Sequence, residues 1–333
     1  MSNLEIKAKK AFDLKIKFSR MYSEDDPEAS KVEMEYLTLR KEVLQEIGED
    51  MHRQKSEPIR VVRERVERKI APKRISTGIR ALDYELVTEE MKSRGDIGGF
   101  SIGNFIQIAG AKGTGKSSLM MKLLTGFSNY EKVGWFDFEM GEDRVVSKLR
   151  AFKHNEDNLL YYSASRSLSD VTDEIKFLNI LGVKHFVIDS AMKITVKDSD
   201  RYDKFSNISS EISSLTSSLG INIYMINQMS QSAEREGHLA IKHGNDAEYD
   251  ADYIFYLVNA IKYKKDIDGN VLKGKGGKPV PDFDKEGTMQ KDSNKRILKC
   301  DKNRQDERLF SVEILKHDIF SEPVEVIYEE NTN

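Results

Sequence analysis

Apolar residues near the start of the chain recur at helical spacing: Leu4, Ala8, Ala11 and Phe12, then Met34, Leu37, Val43, Leu44 and Ile47. Pro27 breaks the first run and Pro58 the second, and Gly48 is the sole glycine among residues 1–75. The pattern predicts two or three helices with little core of their own. From about Arg74 the texture changes. Short apolar runs at 105–109, 133–136, 185–188 and 221–226 alternate with helical patterns, and runs at 253–258 and 296–299 follow. This order predicts an α/β fold with a mainly parallel sheet flanked by helices on both faces. Residues 262–295, rich in Gly, Lys and Asp with Pro279 and Pro281, read as a long flexible hairpin or loop. The domain reading is a charged helical region and linker over 1–73 and an α/β domain over 74–333, with 262–295 inserted.

Composition adds limits. Of 333 residues, 38% are hydrophobic and 33% charged, enough for a sizeable core. Lys and Arg number 53 against 56 Asp and Glu, so any nucleic-acid surface must be local. Residues 53–74 are one such place, with nine Lys/Arg against three Glu. They read either as a solvated helix or as an arm for a neighbouring subunit or DNA. A single cysteine, Cys300, excludes an intramolecular disulfide framework and a cysteine-rich zinc site. No apolar run nears membrane-spanning length, and the first ten residues lack a signal peptide's apolar core. The expectation is a cytoplasmic protein with no membrane contact.

One motif dominates the chemistry. Gly110, Ala111, Lys112, Gly113, Thr114, Gly115, Lys116 and Ser117 fit G-x-x-x-x-G-K-[ST], with Ser118 opening a helical run behind them. A chance match in a chain this long has odds of roughly 1 in 100. An apolar strand precedes the motif, as phosphate binding requires. Glycines let backbone N–H groups curl around a phosphate, the helix start adds its dipole, and Lys116 supplies a point charge. The ligand is then ATP with Mg²⁺, the metal held by Ser117.

Three strand-end residues complete the candidate chemistry. Asp189 ends the run 185–188, at the edge where ligands bind in parallel sheets, and is the second metal residue. Glu139 ends the run 135–138. If its strand neighbours the P-loop strand, Glu139 can orient or deprotonate the attacking water, with Asp137 as competitor two residues earlier. Gln228 follows the run 221–226 and is placed to sense the terminal phosphate.

Together these pieces resemble the RecA-fold ATPases, above all the DnaB-type replicative helicases and their RadA relatives, over residues 74–318. Arg74-Ile75-Ser76-Thr77-Gly78-Ile79-Arg80-Ala81-Leu82-Asp83 is similar to the lead-in before their P-loop strand. Phe138-Glu139-Met140 resembles their catalytic-glutamate segment, and Asn245-Asp246-Ala247-Glu248-Tyr249-Asp250-Ala251-Asp252-Tyr253-Ile254 their acidic stretch before a late strand. Lys302-Asn303-Arg304 is similar to the Lys-x-Arg pair that reaches a neighbour's ATP site.

The resemblance implies an ATP-dependent DNA helicase or translocase active in replication. Its ATP sites would be shared between subunits of a homo-oligomeric ring, a hexamer, with Lys302 and Arg304 acting across the interface. The partners implied are single-stranded DNA and a primase or helicase loader. DNA-binding loops in this fold follow the Asp189 and Gln228 strands. The first loop offers Lys193, Lys197, Arg201 and Lys204, the second Arg235, His238 and Lys242. Neither loop is aromatic-rich, which favours backbone tracking over base stacking. The roughly 75 residues ahead of the ATPase region fall short of the helicases' N-terminal collar, which suits a phage-type or accessory protein. Ile226-Asn227-Gln228 looks more like the RecA recombinases. The alternatives are a recombinase filament on single strands and a nucleotide-gated assembly protein.

Overall fold

The computed structural model describes residues 2–24, 26–52, 59–60, 74–88, 91, 93, 98–197, 201–230, 239–241, 247–268, 270–274, 277–286, 289–305 and 307–315. Most of the basic stretch 53–74 lies outside the described residues.

Two long helices come first, α1 (Asn3–Ser23) and α2 (Ala29–His52). A capping box starts α1: Ser2 Oγ accepts from Glu5 N–H at 3.1 Å, and Glu5 Oε2 accepts from Ser2 N–H at 2.6 Å. The lead-in forms β1 (Arg74–Ile75), α3 (Arg80–Glu85) and β2 (Phe100–Ser101), with β1 antiparallel to β2. The alternating region follows: β3 (Phe105–Gly110), α4 (Lys116–Ser128), β4 (Val133–Asp137), α5 (Glu142–Leu149), β5 (Leu159–Tyr162), α6 (Leu168–Ile180), β6 (His185–Asp189), α7 (Arg201–Leu219) and β7 (Asn222–Gln228). A short α8 (Ala247–Asp250) leads into β8 (Tyr253–Ile261), β9 (Lys291–Asn303) and β10 (Phe310–Leu315).

The main sheet has eight strands in the order β10-β9-β8-β3-β7-β6-β4-β5. From β8 to β5 all neighbours are parallel, and β9 and β10 add an antiparallel edge. Every predicted run is a strand. The parallel strands are buried on both faces, so they read as continuous apolar runs. Their side chains still alternate between two hydrophobic clusters. Phe105, Phe186 and Ile223 join Ile175, Ile208 and Ile212 of α6 and α7 on one face. Ile106, Val187 and Tyr224 join Leu119 and Leu123 of α4 on the other.

The first two helices share the α6–α7 cluster. Ala8, Ala11, Val43 and Ile47 are buried there, as their spacing predicts. Met34 and Leu37 depart from that reading and are exposed. The buried face of α2 passes through Ala29, Val32, Val43 and Ile47, and Met34 and Leu37 lie off it. One charge cluster fastens the helical pair: Glu174 of α6 is buried and receives Lys15 of α1 and Arg40 of α2, each at 3.0 Å. Arg40 also lies 5.8 Å from the Phe177 ring centroid.

Residues 262–290, expected as loop, are β-paired, and 291–295 belong to β9. The bridges Lys265↔Val271, Lys273↔Pro279 and Phe283↔Met289 mark three short hairpins, and Tyr263↔Pro281 joins them at the base. Each arm is too short and too polar to show the alternation that betrays a strand.

Glu174→Ala is expected to cost about 2 kcal/mol, less than a fully buried pair because both cations keep some exposure. Hydrogen exchange on the variant should show protection lost in α1 and α2 before the sheet. Unchanged protection there would contradict the clamp.

Candidate active site

Parallel strands end on one edge, and four of those ends make the site. Gly110 at the end of β3 pairs with Gln228 at the end of β7, and Asp189 at the end of β6 pairs with Asp137 at the end of β4. Above them lies a cleft of about 330 Å³, whose lining includes Lys116, Ser117, Glu139, Asp189, Ser190 and Gln228.

The loop after β3 is built for close approach. A Cβ on Gly110 would sit 2.5 Å from the Leu257 carbonyl oxygen, a distance that admits only glycine. Gly113 (φ 81°) and Gly115 (φ 99°) take the left-handed conformation that turns the loop into α4. Thr114 closes the turn through Oγ1 to the Ala111 carbonyl at 2.9 Å. Gly115 caps α4 without any side chain, which leaves the first N–H groups of the helix for an anion. Lys116 Nζ donates to the carbonyls of Gly110 (2.8 Å) and Ala111 (3.0 Å). Burial lowers its pKa, and the charges of Asp189 and Glu139 oppose that shift. Arg296 of β9 braces the loop from behind, its Nε donating to the Thr114 carbonyl at 3.0 Å.

Asp137 and Glu139 divide the roles that the sequence left between them. The Asp137 carboxylate accepts N–H bonds from Glu139 (3.1 Å), Met140 (2.9 Å) and Gly141 (2.6 Å), and the Tyr161 hydroxyl at 3.0 Å. Burial foremost, with the Asp137 charge, pushes the Tyr161 phenol up to about 12, so it stays a donor. Asp137 therefore shapes the turn, and Glu139 is the carboxylate left to the cleft. Strand adjacency is not what brings it there, because β6 and β7 separate β4 from β3. Instead, Phe138 N–H donates to the Asp189 carbonyl at 2.7 Å, which draws the turn across to β6.

Asp189 is 1% exposed, and burial pushes its carboxyl up to about 6. Glu139 and Asp137 add to the rise, while a hydrogen bond from Ser117 and the Lys116 charge oppose it. Asp189 Oδ2 and Ser190 Oγ are buried without a partner among the described residues. Unpaired buried oxygens beside a serine hydroxyl suit a hard cation. No cluster of three or more His, Cys, Asp or Glu exists among the described residues to cage a metal alone. Mg²⁺ does not require one, since it binds through one or two protein oxygens plus substrate phosphates. Ser117 and Asp189 fit that role.

Lys302 and Arg304 lie elsewhere. In the register Ile254↔Lys302, with Ile106↔Tyr253 beside it, they sit at the opposite edge of the sheet from Gly110. That is roughly 16 Å along β3 at 3.3 Å per residue. Lys302 Nζ donates to the carbonyls of Glu248 (2.7 Å) and Tyr249 (2.8 Å), and Arg304 to Tyr249 and, at 3.5 Å, to Asp252. The acidic stretch before β8 thus holds the basic pair. Of the loop cations, Lys193 and Lys197 are exposed. Lys204 Nζ instead donates to the Met192 carbonyl at 3.1 Å, bracing the loop. Arg235, His238 and Lys242 lie outside the described residues, as does the side chain of Arg201.

Sequence reasoning missed three residues here. Ser190 had a signal, its position next to Asp189. Arg296 and Lys148, a further member of the cleft lining, had none.

No family model matches the chain, and no curated protein matches it by sequence. Solved structures do. The ATPase domain of a phage DnaB-type helicase matches at 18% identity, over 79% of this chain and 95% of its own, with a TM-score of 0.52. A KaiC-like protein of the hyperthermophilic archaeon Pyrococcus horikoshii OT3 matches at 15% identity, over 73% of this chain and 94% of its own, with a TM-score of 0.49. The chain has a RecA-like α/β fold, with a helical pair ahead of it. No helix among the described residues is long and apolar enough to cross a membrane.

Asp189→Asn tests the buried carboxylate. A raised pKa means that ionised Asp189 destabilises the fold, with the cost growing from about pH 4 to pH 6 and constant above. The variant should gain up to about 3 kcal/mol over wild type at pH 7.5, and less at pH 5, in urea unfolding. A gain independent of pH would contradict the assignment.

Proposed function

We propose that the protein is a Mg-ATP-hydrolysing motor that works as a homohexameric ring and moves on single-stranded DNA. The observation that carries the ATPase reading is the convergence of the P-loop, Ser117, Asp189, Glu139 and Gln228 on one cleft. The DNA and ring readings rest on the resemblance of Lys302-Asn303-Arg304 and the acidic stretch to DnaB-type helicases. The fold shared with the phage helicase's ATPase domain supports the first reading.

In this mechanism the loop N–H groups and Lys116 hold the β- and γ-phosphates. Mg²⁺, held by Ser117 and Asp189, neutralises charge on both phosphates. Glu139 accepts a proton from water as its oxygen attacks the γ-phosphorus. The bond to the β–γ bridging oxygen breaks, and ADP and phosphate leave. Gln228 sits where loss of the γ-phosphate is felt, at the start of the segment that returns through the Met229↔Ile241 bridge. Lys302 and Arg304 are at the far edge of their own sheet, so they serve a neighbour's phosphates. Lys193, Lys197 and Arg201, with Arg235 and Lys242, track the strand's phosphates.

Three variants test this. Lys116→Ala should abolish nucleotide affinity and turnover. Glu139→Gln should bind ATP and lose about 10²–10⁴ in rate. Arg304→Ala should bind ATP and lose about 10³-fold or more when assembled on DNA. Steady-state ATPase assays with and without single-stranded DNA read all three. An Arg304→Ala protein as fast as wild type would remove the shared-site claim. Wild-type turnover indifferent to DNA would remove the motor claim, and strand pairing by a continuous filament would move the protein to strand exchange.

A further inference from the structure

Helix α5 separates two surfaces. Val146, Leu149 and Arg150 line a groove against β5. Lys148 instead lines the phosphate cleft, with Lys116, Glu139, Asp189, Ser190 and Gln228. Val145 is buried and anchors the helix, and Lys148 is its i+3 neighbour, on the flank turned toward the cleft. The start of α5 is fixed as well, because Asp137 binds the N–H groups of residues 139–141 just before it. Helical side chains lean toward the N-terminus of their helix. Lys148 is in the last turn of α5, so its stem runs back toward the loop that carries Glu139.

The ammonium group has no ion-pair or hydrogen-bond partner among the described residues. That contrasts with Lys116, held by two carbonyls, and with Lys302, held by two others. The charge balance of the cleft gives it work. Asp189 and Glu139 bring two negative charges, and a triphosphate brings about four more near pH 7. A single divalent cation and the two P-loop lysines leave that sum well short of neutral. The excess is greatest at the terminal phosphate, on the Glu139 side.

We propose that Lys148 is a second, same-subunit cation for the γ-phosphate, which lets the site tell the triphosphate from the diphosphate. The proposal rests on the ATPase reading above. The β-phosphate is served by the P-loop in both nucleotides. The γ-phosphate is the group next to Glu139, and Lys148 contacts it from the opposite wall to Lys116. When the γ-phosphate leaves, Lys148 loses its counter-charge and α5 loses its tie to the nucleotide. A lysine in the last turn of a helix also complements the helix dipole. That effect is the same whichever nucleotide is bound.

The test is nucleotide discrimination. Wild type, Lys148→Ala and Lys148→Arg are titrated with a non-hydrolysable ATP analogue and with ADP, both with Mg²⁺, and their unfolding temperatures are compared. Lys148→Ala should bind the analogue about tenfold more weakly or worse, as expected for a lost charge-assisted contact. Its ADP affinity should stay within about twofold of wild type, and Lys148→Arg should retain most of the discrimination. Equal weakening for both nucleotides, or none for either, would overturn the proposal, and so would loss of the discrimination in Lys148→Arg alone. Wild-type protein that binds ADP but not the analogue would overturn it too. Wild type that binds neither would overturn the ATPase reading beneath it.

Discussion

The parallel pairing of β3 with β7, and of β7 with β6, is the constraint from which the site follows. Parallel strands must all finish on one edge, and there the backbone stops pairing and turns away. Gly110, Gln228 and Asp189 are therefore neighbours without any contact designed between them. Burial on both faces holds that edge rigid, since Phe105 and Ile106 on β3 and Phe186 and Val187 on β6 are fully buried. The same burial makes the edge electrostatically costly. It raises the pKa of Asp189 and lowers that of Lys116, and each partly relieves the other. A site so poised gains from a divalent cation and a polyphosphate, which supply the missing opposite charges.

Polar groups away from the cleft are satisfied inside the chain. Asp137 is spent on the Glu139 turn, Asp252 on the β3 backbone and Arg304, and Glu174 on Lys15 and Arg40. The atoms that stay unpaired beside the P-loop, Asp189 Oδ2 and Ser190 Oγ, gather where the chemistry is. Buried polar atoms normally find partners, so this cluster marks ligand space rather than packing error.

The parts of this arrangement that were legible in the sequence are those with short-range signatures. The P-loop reads from eight consecutive residues, and β3, β4, β6 and β7 read as apolar runs. Asp189, Glu139 and Gln228 were found because strand ends are where function gathers in such sheets. Long-range pairings were invisible. Glu174 meets Lys15 and Arg40 across 159 and 134 residues, and nothing near Glu174 reveals that it is buried. Arg296 reaches Thr114 across 182 residues in the same way. The choice between Asp137 and Glu139 needed the turn geometry, and the strand adjacency expected for Glu139 was wrong because sheet order does not follow chain order. The hairpins of 262–290 read as loop because Lys, Asp and Gly occupy their strand positions.

The account stands on a single metal-dependent triphosphate site at that edge. Calorimetric titration of wild-type protein with a non-hydrolysable ATP analogue, with Mg²⁺ present and then withheld, tests it most directly. The account predicts saturable binding at one site per chain that weakens sharply without Mg²⁺, because Asp189 and Ser117 then face the phosphates with no cation between them. Binding that is absent, or that is equally tight with and without the metal, would contradict it.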